Sequence, residues 1–139
     1  MNRVTNDEIN HVSGNEIFVF GSNLSGMHGG GAAKAAMKWG AVWGNPTGLQ
    51  GNTYAIPTKS ENYASTLTID EIKPYVIDFV KFAKDNPDLR FYVTEIGCGL
   101  ANMVYDDIAP LFKEAMEVEN IFLPAKFWRE IGKNAIKNS

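Results

Sequence analysis

The stretch Ile17-Phe18-Val19-Phe20-Gly21-Ser22-Asn23-Leu24-Ser25-Gly26-Met27-His28-Gly29-Gly30-Gly31-Ala32-Ala33-Lys34 decides the fold. It opens with Ile17–Phe20, an apolar run of strand formers that suits a buried strand. It continues into Ala32–Trp39, where Ala, Lys and Met favour helix. Between them lies a glycine-rich loop. A helix N-terminus presents unpaired N–H groups and partial positive charge to whatever faces it. Gly29, Gly30 and Gly31 carry no Cβ, so backbone can come close to a ligand there. The stretch predicts a bound anion of the nucleotide-diphosphate kind without saying which.

Working outward, strands and helices alternate. Residues 44–52 are dense in turn formers. Thr53–Ile56 reads as a strand that stops at Pro57. Thr68-Ile69-Asp70-Glu71 has the spacing of a capping box. The helix it starts carries Ile69, Ile72, Val76, Phe79, Val80 and Ala83 as one apolar stripe and ends near Asn86-Pro87. Pro74 is expected to kink that helix or delay its start. Phe91–Ile96 is a strand that breaks at Gly97-Cys98-Gly99. Asp107 is expected to cap a helix carrying Ile108, Leu111, Phe112, Ala115 and Met116, with Pro110 tolerated in its first turn. Ile121–Leu123 is a last short strand before Pro124. Residues 125–132 add a final helix, and the tail to Ser139 is expected to fray. Residues 1–14 read as an arm or loop. The alternation predicts an α/β fold, a three-layer α/β/α arrangement around a mixed, mostly parallel sheet, in a single domain of 139 residues with its core at about 15–132.

Composition narrows the function. The chain is 45% hydrophobic and carries a formal net charge of −3 with no basic block, so the main electrostatic signature of duplex nucleic-acid binding is missing. One cysteine, Cys98, excludes an intrachain disulfide and points to a reducing compartment. No basic region precedes an apolar run and no apolar stretch has membrane-spanning length, so a cytoplasmic location without a membrane partner is expected. No His/Cys/Asp/Glu cluster has metal-ligand spacing, so neither a metal nor a cofactor is expected.

In parallel sheets ligands bind beyond the carboxyl ends of the strands. Three loops leave strands here with unusual residues. They are Gly21–Gly31, Pro57-Thr58-Lys59-Ser60 and Gly97-Cys98-Gly99-Leu100-Ala101. Parallel strands would bring all three to one rim. These motifs, in this order, resemble the macrodomain family over roughly residues 16–124. The resemblance is greatest to the branch of terminal-ADP-ribose protein hydrolases and of antitoxins that remove ADP-ribose from DNA. In that branch a Thr-Lys pair at a strand end and a later Gly-Cys-Gly-Leu loop recur.

The resemblance implies ADP-ribose, or an ADP-ribosylated macromolecule, as the partner. Gly21, Ser22, His28, Gly29, Gly30, Gly31, Ala32, Thr58, Gly97, Cys98, Gly99, Leu100 and Ala101 would line the ligand. Asn23 would orient the distal ribose, and Lys59 would attack or polarise C1″ in hydrolysis of the ADP-ribosyl linkage. Lysine nucleophiles need an environment that favours the free amine. Two departures accompany the resemblance. No Gly-Asp segment for adenine stands upstream of Ile17, and Ala101 replaces the catalytic aspartate of the protein hydrolases, a position at which the DNA-directed antitoxins also lack the acid. Asp106 is the acid that could stand in. The alternatives are a non-catalytic binding or sequestering module and a phosphatase acting on ADP-ribose 1″-phosphate.

Several of these residues also have structural readings. Asn23 can brace its own turn. Cys98 lacks an evident base partner, since His11 and His28 are the only histidines, and reads best as a small packed side chain. His28 reads as a solvent-facing loop residue. Trp39, Trp43, Phe127 and Trp128 are read as core, with stacking on a base as the alternative.

Overall fold

The computed structural model describes residues 3–62, 65–96 and 105–137. Its sheet has five strands, β1 (Glu16–Asn23), β2 (Gly48–Gln50), β3 (Thr53–Lys59), β4 (Arg90–Val93) and β5 (Ile121–Phe122), in the order β2-β3-β1-β4-β5. β3, β1, β4 and β5 run parallel, and β2 pairs antiparallel with β3. The helices are α1 (Gly31–Ala36), α2 (Ile69–Asp85), α3 (Tyr105–Ile108) and α4 (Ala125–Lys137). The fold is therefore α/β with a mixed, mostly parallel sheet, as the alternation predicts.

β1 is the central strand, and its run is apolar because both of its faces are covered. Ile17 and Val19 join a large cluster with residues of α2, α4 and the segment after α3. Phe18 and Phe20 point the other way and join Ala33 and Ala36 of α1, with Ala41, Ala55 and Val12. The capping box forms as read. Thr68 Oγ1 accepts from the Glu71 amide at 3.1 Å, and the Glu71 carboxylate accepts from the Thr68 amide at 2.9 Å. The bond from the Thr68 amide leads in holding the Glu71 carboxyl below its usual range, since the ionised form is the better acceptor. Pro74 lies inside α2, which runs unbroken from Ile69.

Other boundaries differ from the sequence reading. β1 extends through Gly21-Ser22-Asn23, so these residues are strand and the loop proper begins at Leu24. β3 continues through Pro57 to Lys59. Pro57 is tolerated because β2 accompanies β3 only from Thr53 to Ala55, leaving one side free of a ladder. The turn-rich 44–52 stretch contains β2 itself. The run read as helix to Trp39 is α-helical only to Ala36 and tightens into a 3-10 turn over Met37–Trp39. Gly40 ends it in the left-handed region, where a Cβ would lie 2.8 Å from the Gly51 Cα. β4 stops at Val93, and the Thr94 amide and hydroxyl just beyond it both donate to the Val19 carbonyl, at 3.1 and 2.8 Å.

Asp107 does not cap a helix. α3 starts two residues earlier, at Tyr105, and its continuation over Ala109–Glu117 is 3-10 helix. α4 runs to Lys137 rather than 132. The Gly97–Ala101 motif, with Cys98, lies outside the described residues.

The arm is a built part of the molecule. Val4 bridges Leu123, the Thr5 amide donates to the Leu123 carbonyl at 2.9 Å, and Leu123 donates to the Arg3 carbonyl at 3.2 Å. The Arg3 guanidinium donates to the carbonyls of Met116, Val118 and Ile121 and lies 5.3 Å over the Trp128 ring. These bonds tether the arm beside the carboxyl end of β5.

Candidate functional site

The parallel strands bring the first two loops to one edge. Asn23 and Lys59 are register partners at the carboxyl ends of β1 and β3. The register slips between Ser22 and Asn23, so Thr58 is an extra residue in β3, a bulge. Bulges in parallel pairs are rare and re-aim the side chains beyond them. The Thr58 hydroxyl donates to the Ser22 carbonyl at 3.3 Å. A Cβ on Gly21 would lie 3.3 Å from that hydroxyl and 3.6 Å from Ile96. The ends of β1 and β3 and the segment leading into Gly97 thus meet at Gly21, a junction that a larger side chain would push apart.

Lys59 is half-buried, and its backbone carbonyl accepts from the Leu24 amide at 3.0 Å. Its ammonium makes no ion pair or side-chain hydrogen bond among the described residues. Asn23 is engaged within the loop. Its Oδ1 accepts from the Met27 amide at 3.0 Å and the Ser25 hydroxyl at 2.7 Å, and its Nδ2 donates to the Met27 carbonyl at 2.8 Å. It braces the turn, the structural role open to it on sequence alone.

The glycine loop is locked from outside by residues 42–47. The Gly44 amide donates to the Gly26 carbonyl at 2.8 Å, and the Ser22 hydroxyl donates to the Pro46 carbonyl at 2.6 Å. Gly26 sits at φ +71, and a Cβ there would run into the Asn45 backbone. Buried Gln50 organises the clamp. Its Oε1 accepts from the Val42 amide at 2.7 Å, and its Nε2 donates to the Asn45 and Thr47 carbonyls at 3.0 and 3.3 Å. Nothing in the turn-rich sequence around Gln50 announces this role, because its partners are backbone groups.

His28 is not solvent-facing. It is 2% exposed, its ring meets Phe20 edge-on at 5.2 Å, and neither ring nitrogen has a hydrogen-bond partner among the described residues. Gly29 and Gly31 are exposed, and Gly30 precedes α1 in extended backbone with no side-chain cap. At six residues, α1 adds little macrodipole, so its exposed backbone N–H groups are what it offers an anion.

A trough of about 700 Å³ opens beside the start of α1. Phe18 and Ala32 line one side and the arm residues Thr5–Asn10 another, while Thr94 and Glu95 follow β4 and Lys126 stands in the first turn of α4. The Thr5 hydroxyl in this wall is buried without a partner among the described residues. The arm is the part of the candidate site that sequence reading missed. Its one signal is Ile9 and Val12 among polar neighbours, and these pack against the α1-side cluster. Among the aromatics, Phe127 is buried, Trp39 packs on Phe18 at 4.9 Å, and the Trp128 ring nitrogen donates to the Arg3 carbonyl at 2.9 Å. Trp43 is 56% exposed. Asp106 is exposed on α3.

Among the described residues, no group of His, Cys, Asp and Glu is placed to hold a metal, and no helix is long and apolar enough to cross a membrane. Comparison with protein-family models, with curated proteins and with solved structures gave no match to this chain.

Proposed function

We propose that this protein binds ADP-ribose or an ADP-ribosyl derivative along the carboxyl edge of its sheet and hydrolyses the ADP-ribosyl linkage with Lys59. The observation that carries the reading is the bulged register that makes Asn23 and Lys59 neighbours at the ends of parallel strands. The Gly21–Ala32 and Thr58-Lys59 motifs that carry the macrodomain resemblance share that edge. The trough lies along the same edge, toward β4 and β5. From β3 to β5 there are three inter-strand steps, about 14 Å in all, a span that an extended nucleoside diphosphate sugar covers.

In this reading the adenosine end occupies the trough. Asp7 and Glu8 line it and can accept from an exocyclic amine, which answers the missing Gly-Asp segment. The diphosphate crosses the backbone of Gly29–Gly31, which is exposed at Gly29 and Gly31. The distal ribose reaches Lys59, whose ammonium has no competing carboxylate among the described residues. Lys59 then acts at C1″ of the ADP-ribosyl group.

Calorimetry with ADP-ribose, followed by release assays on ADP-ribosylated protein and DNA, tests this. Wild type should bind and turn over, while Lys59→Ala should bind within a few-fold of wild type and lose turnover. Unchanged turnover in Lys59→Ala removes the lysine from the mechanism, and absence of ADP-ribose binding at high micromolar concentration removes the ligand. The engagement of Asn23 with Met27 and Ser25 favours a second reading, binding without turnover, because the side chain expected to orient the ribose is held in the loop. Prolonged incubation of wild type with product analysis separates the two readings.

A further inference from the structure

Three aromatic residues stand in one row across the sheet. Phe18 of β1, Tyr92 of β4 and Phe122 of β5 are successive register partners, so their side chains leave the same face. It is the α1 face, on which Phe18 packs against Trp39. The Tyr92 and Phe122 rings meet at 4.9 Å, and the Tyr92 hydroxyl donates to the Glu16 carboxylate at 3.2 Å. The Arg90 guanidinium lies 5.3 Å over the Phe122 ring, and Phe122 is buried. Tyr92 is half-buried and is the more open ring of the two.

The arm crosses this row. Asn6, Glu8, Ile9 and Asn10 line the trough, whose wall includes Phe18. The same four residues line a second cavity of about 330 Å³, whose wall includes Tyr92 and Phe122. The two cavities are therefore the two sides of one segment laid over one aromatic row. That segment is fixed at its ends, by the Thr5 amide on the Leu123 carbonyl and by buried Val12. Between these points, Asn6–His11 make no hydrogen bond or ion pair among the described residues. Their side chains are exposed and polar, except for half-buried Ile9, which packs on the α1-side cluster. Local opening costs least where buried apolar contacts and backbone bonds are few. Opening here also lets water reach the Thr5 hydroxyl, which is buried without a partner among the described residues.

We propose that Asn6–His11 is a strap that lifts to let a planar ring pass from the trough onto Tyr92 and then closes over it, joining the two cavities into one site. The proposal rests on the ADP-ribose reading, in which the ring is adenine. Tyr92 is then a base-binding residue, although it does not line the trough while the strap is down. The unpaired backbone groups of the strap and the side chains of Asn6, Glu8 and Asn10 supply donors and acceptors to the edge of the base.

Calorimetry and stopped-flow binding of ADP-ribose to the full chain test this. Tyr92→Leu should weaken binding about tenfold, within what stacking of a base on an aromatic ring contributes. Tyr92→Phe keeps the ring and should bind as wild type. Ile9→Ala removes the apolar anchor of the strap and should raise the association and dissociation rate constants together, severalfold each. Wild-type affinity in Tyr92→Leu overturns the proposal, as does an equal loss in Tyr92→Phe, which would trace the effect to the bond with Glu16. Faster dissociation alone in Ile9→Ala also overturns it, since Ile9 would then be a passive wall. Should Tyr92→Leu melt far below wild type, the Ile9→Ala rate constants decide. Each of these failures leaves the ADP-ribose reading standing, whereas no binding by wild type removes that reading and the strap proposal with it.

Discussion

The two faces of the sheet are built on different principles. On the face covered by α2 and α4, large aromatics interlock. Phe79 meets Tyr54 at 5.1 Å, Phe91 at 5.5 Å and Phe112 at 6.5 Å, and Phe112 meets Phe127 at 5.4 Å. On the α1 face Phe18 and Phe20 pack on Ala33, Ala36, Ala41 and Ala55, alongside the rings of Trp39 at 4.9 Å from Phe18 and His28 at 5.2 Å from Phe20. Small side chains let the glycine loop, the clamp and the arm approach the sheet without filling the space. The trough is on this side, and so are His28 and the Thr5 hydroxyl, whose buried polar atoms lack partners among the described residues. Aromatic packing on one face supplies stability that the other face can forgo for binding surface.

The sharpest way to break this comparison is Phe79→Ala. Truncating a fully buried phenylalanine at the centre of the aromatic network should cost about 3–5 kcal/mol in urea unfolding. A loss below about 1 kcal/mol would mean that the aromatic face does not carry the fold.

The next largest effect is at alkaline pH. Burial, assisted by the Asp78 charge, pushes the Tyr54 phenol from 10.0 up to about 12. The folded state then favours the neutral phenol. The stability this confers is fully present below pH 10 and is lost as pH rises from 10 to about 12, amounting to ~2–3 kcal/mol. Denaturant titrations across that range should show the decline, and Tyr54→Phe should shrink it. An identical decline in the variant would place its origin elsewhere.

The smallest effect sharpens the other face. His28→Leu should raise stability by ~1–2 kcal/mol, because it removes two buried ring nitrogens that lack partners among the described residues. A loss of similar size on thermal or urea unfolding would show that the ring nitrogens are satisfied in solution. The α1 face would then be as fully paired as the other.

The aromatic face was the more legible of the two in sequence. The α2 stripe from Ile72 to Ala83 and the Thr68–Glu71 box are periodic or local signals, and the buried members of the stripe join the large cluster as read. The α1 face was legible in its motifs but not in its geometry. Gly21–Asn23 reads as loop because glycine and asparagine disfavour strands, yet pairing with Ile56, Pro57 and Lys59 holds it extended. Pro57 reads as a strand end, yet the short reach of β2 leaves it room. His28 reads as exposed because it sits among glycines, yet Phe20 takes its ring into the interior. In each case a contact distant in sequence overrode a local preference.

The sequence by itself determined the alternation of strand and helix, the α/β class and the order of the glycine-rich and Thr-Lys motifs, because these depend on side-chain period and on residues near one another. Only the tertiary structure decided that Asn23 and Lys59 are neighbours, that Gln50 clamps the loop bearing Trp43, and that residues 5–10 wall a trough. Strand register, a single bulge and the tether of Arg3 set those relations, and each depends on groups far apart along the chain.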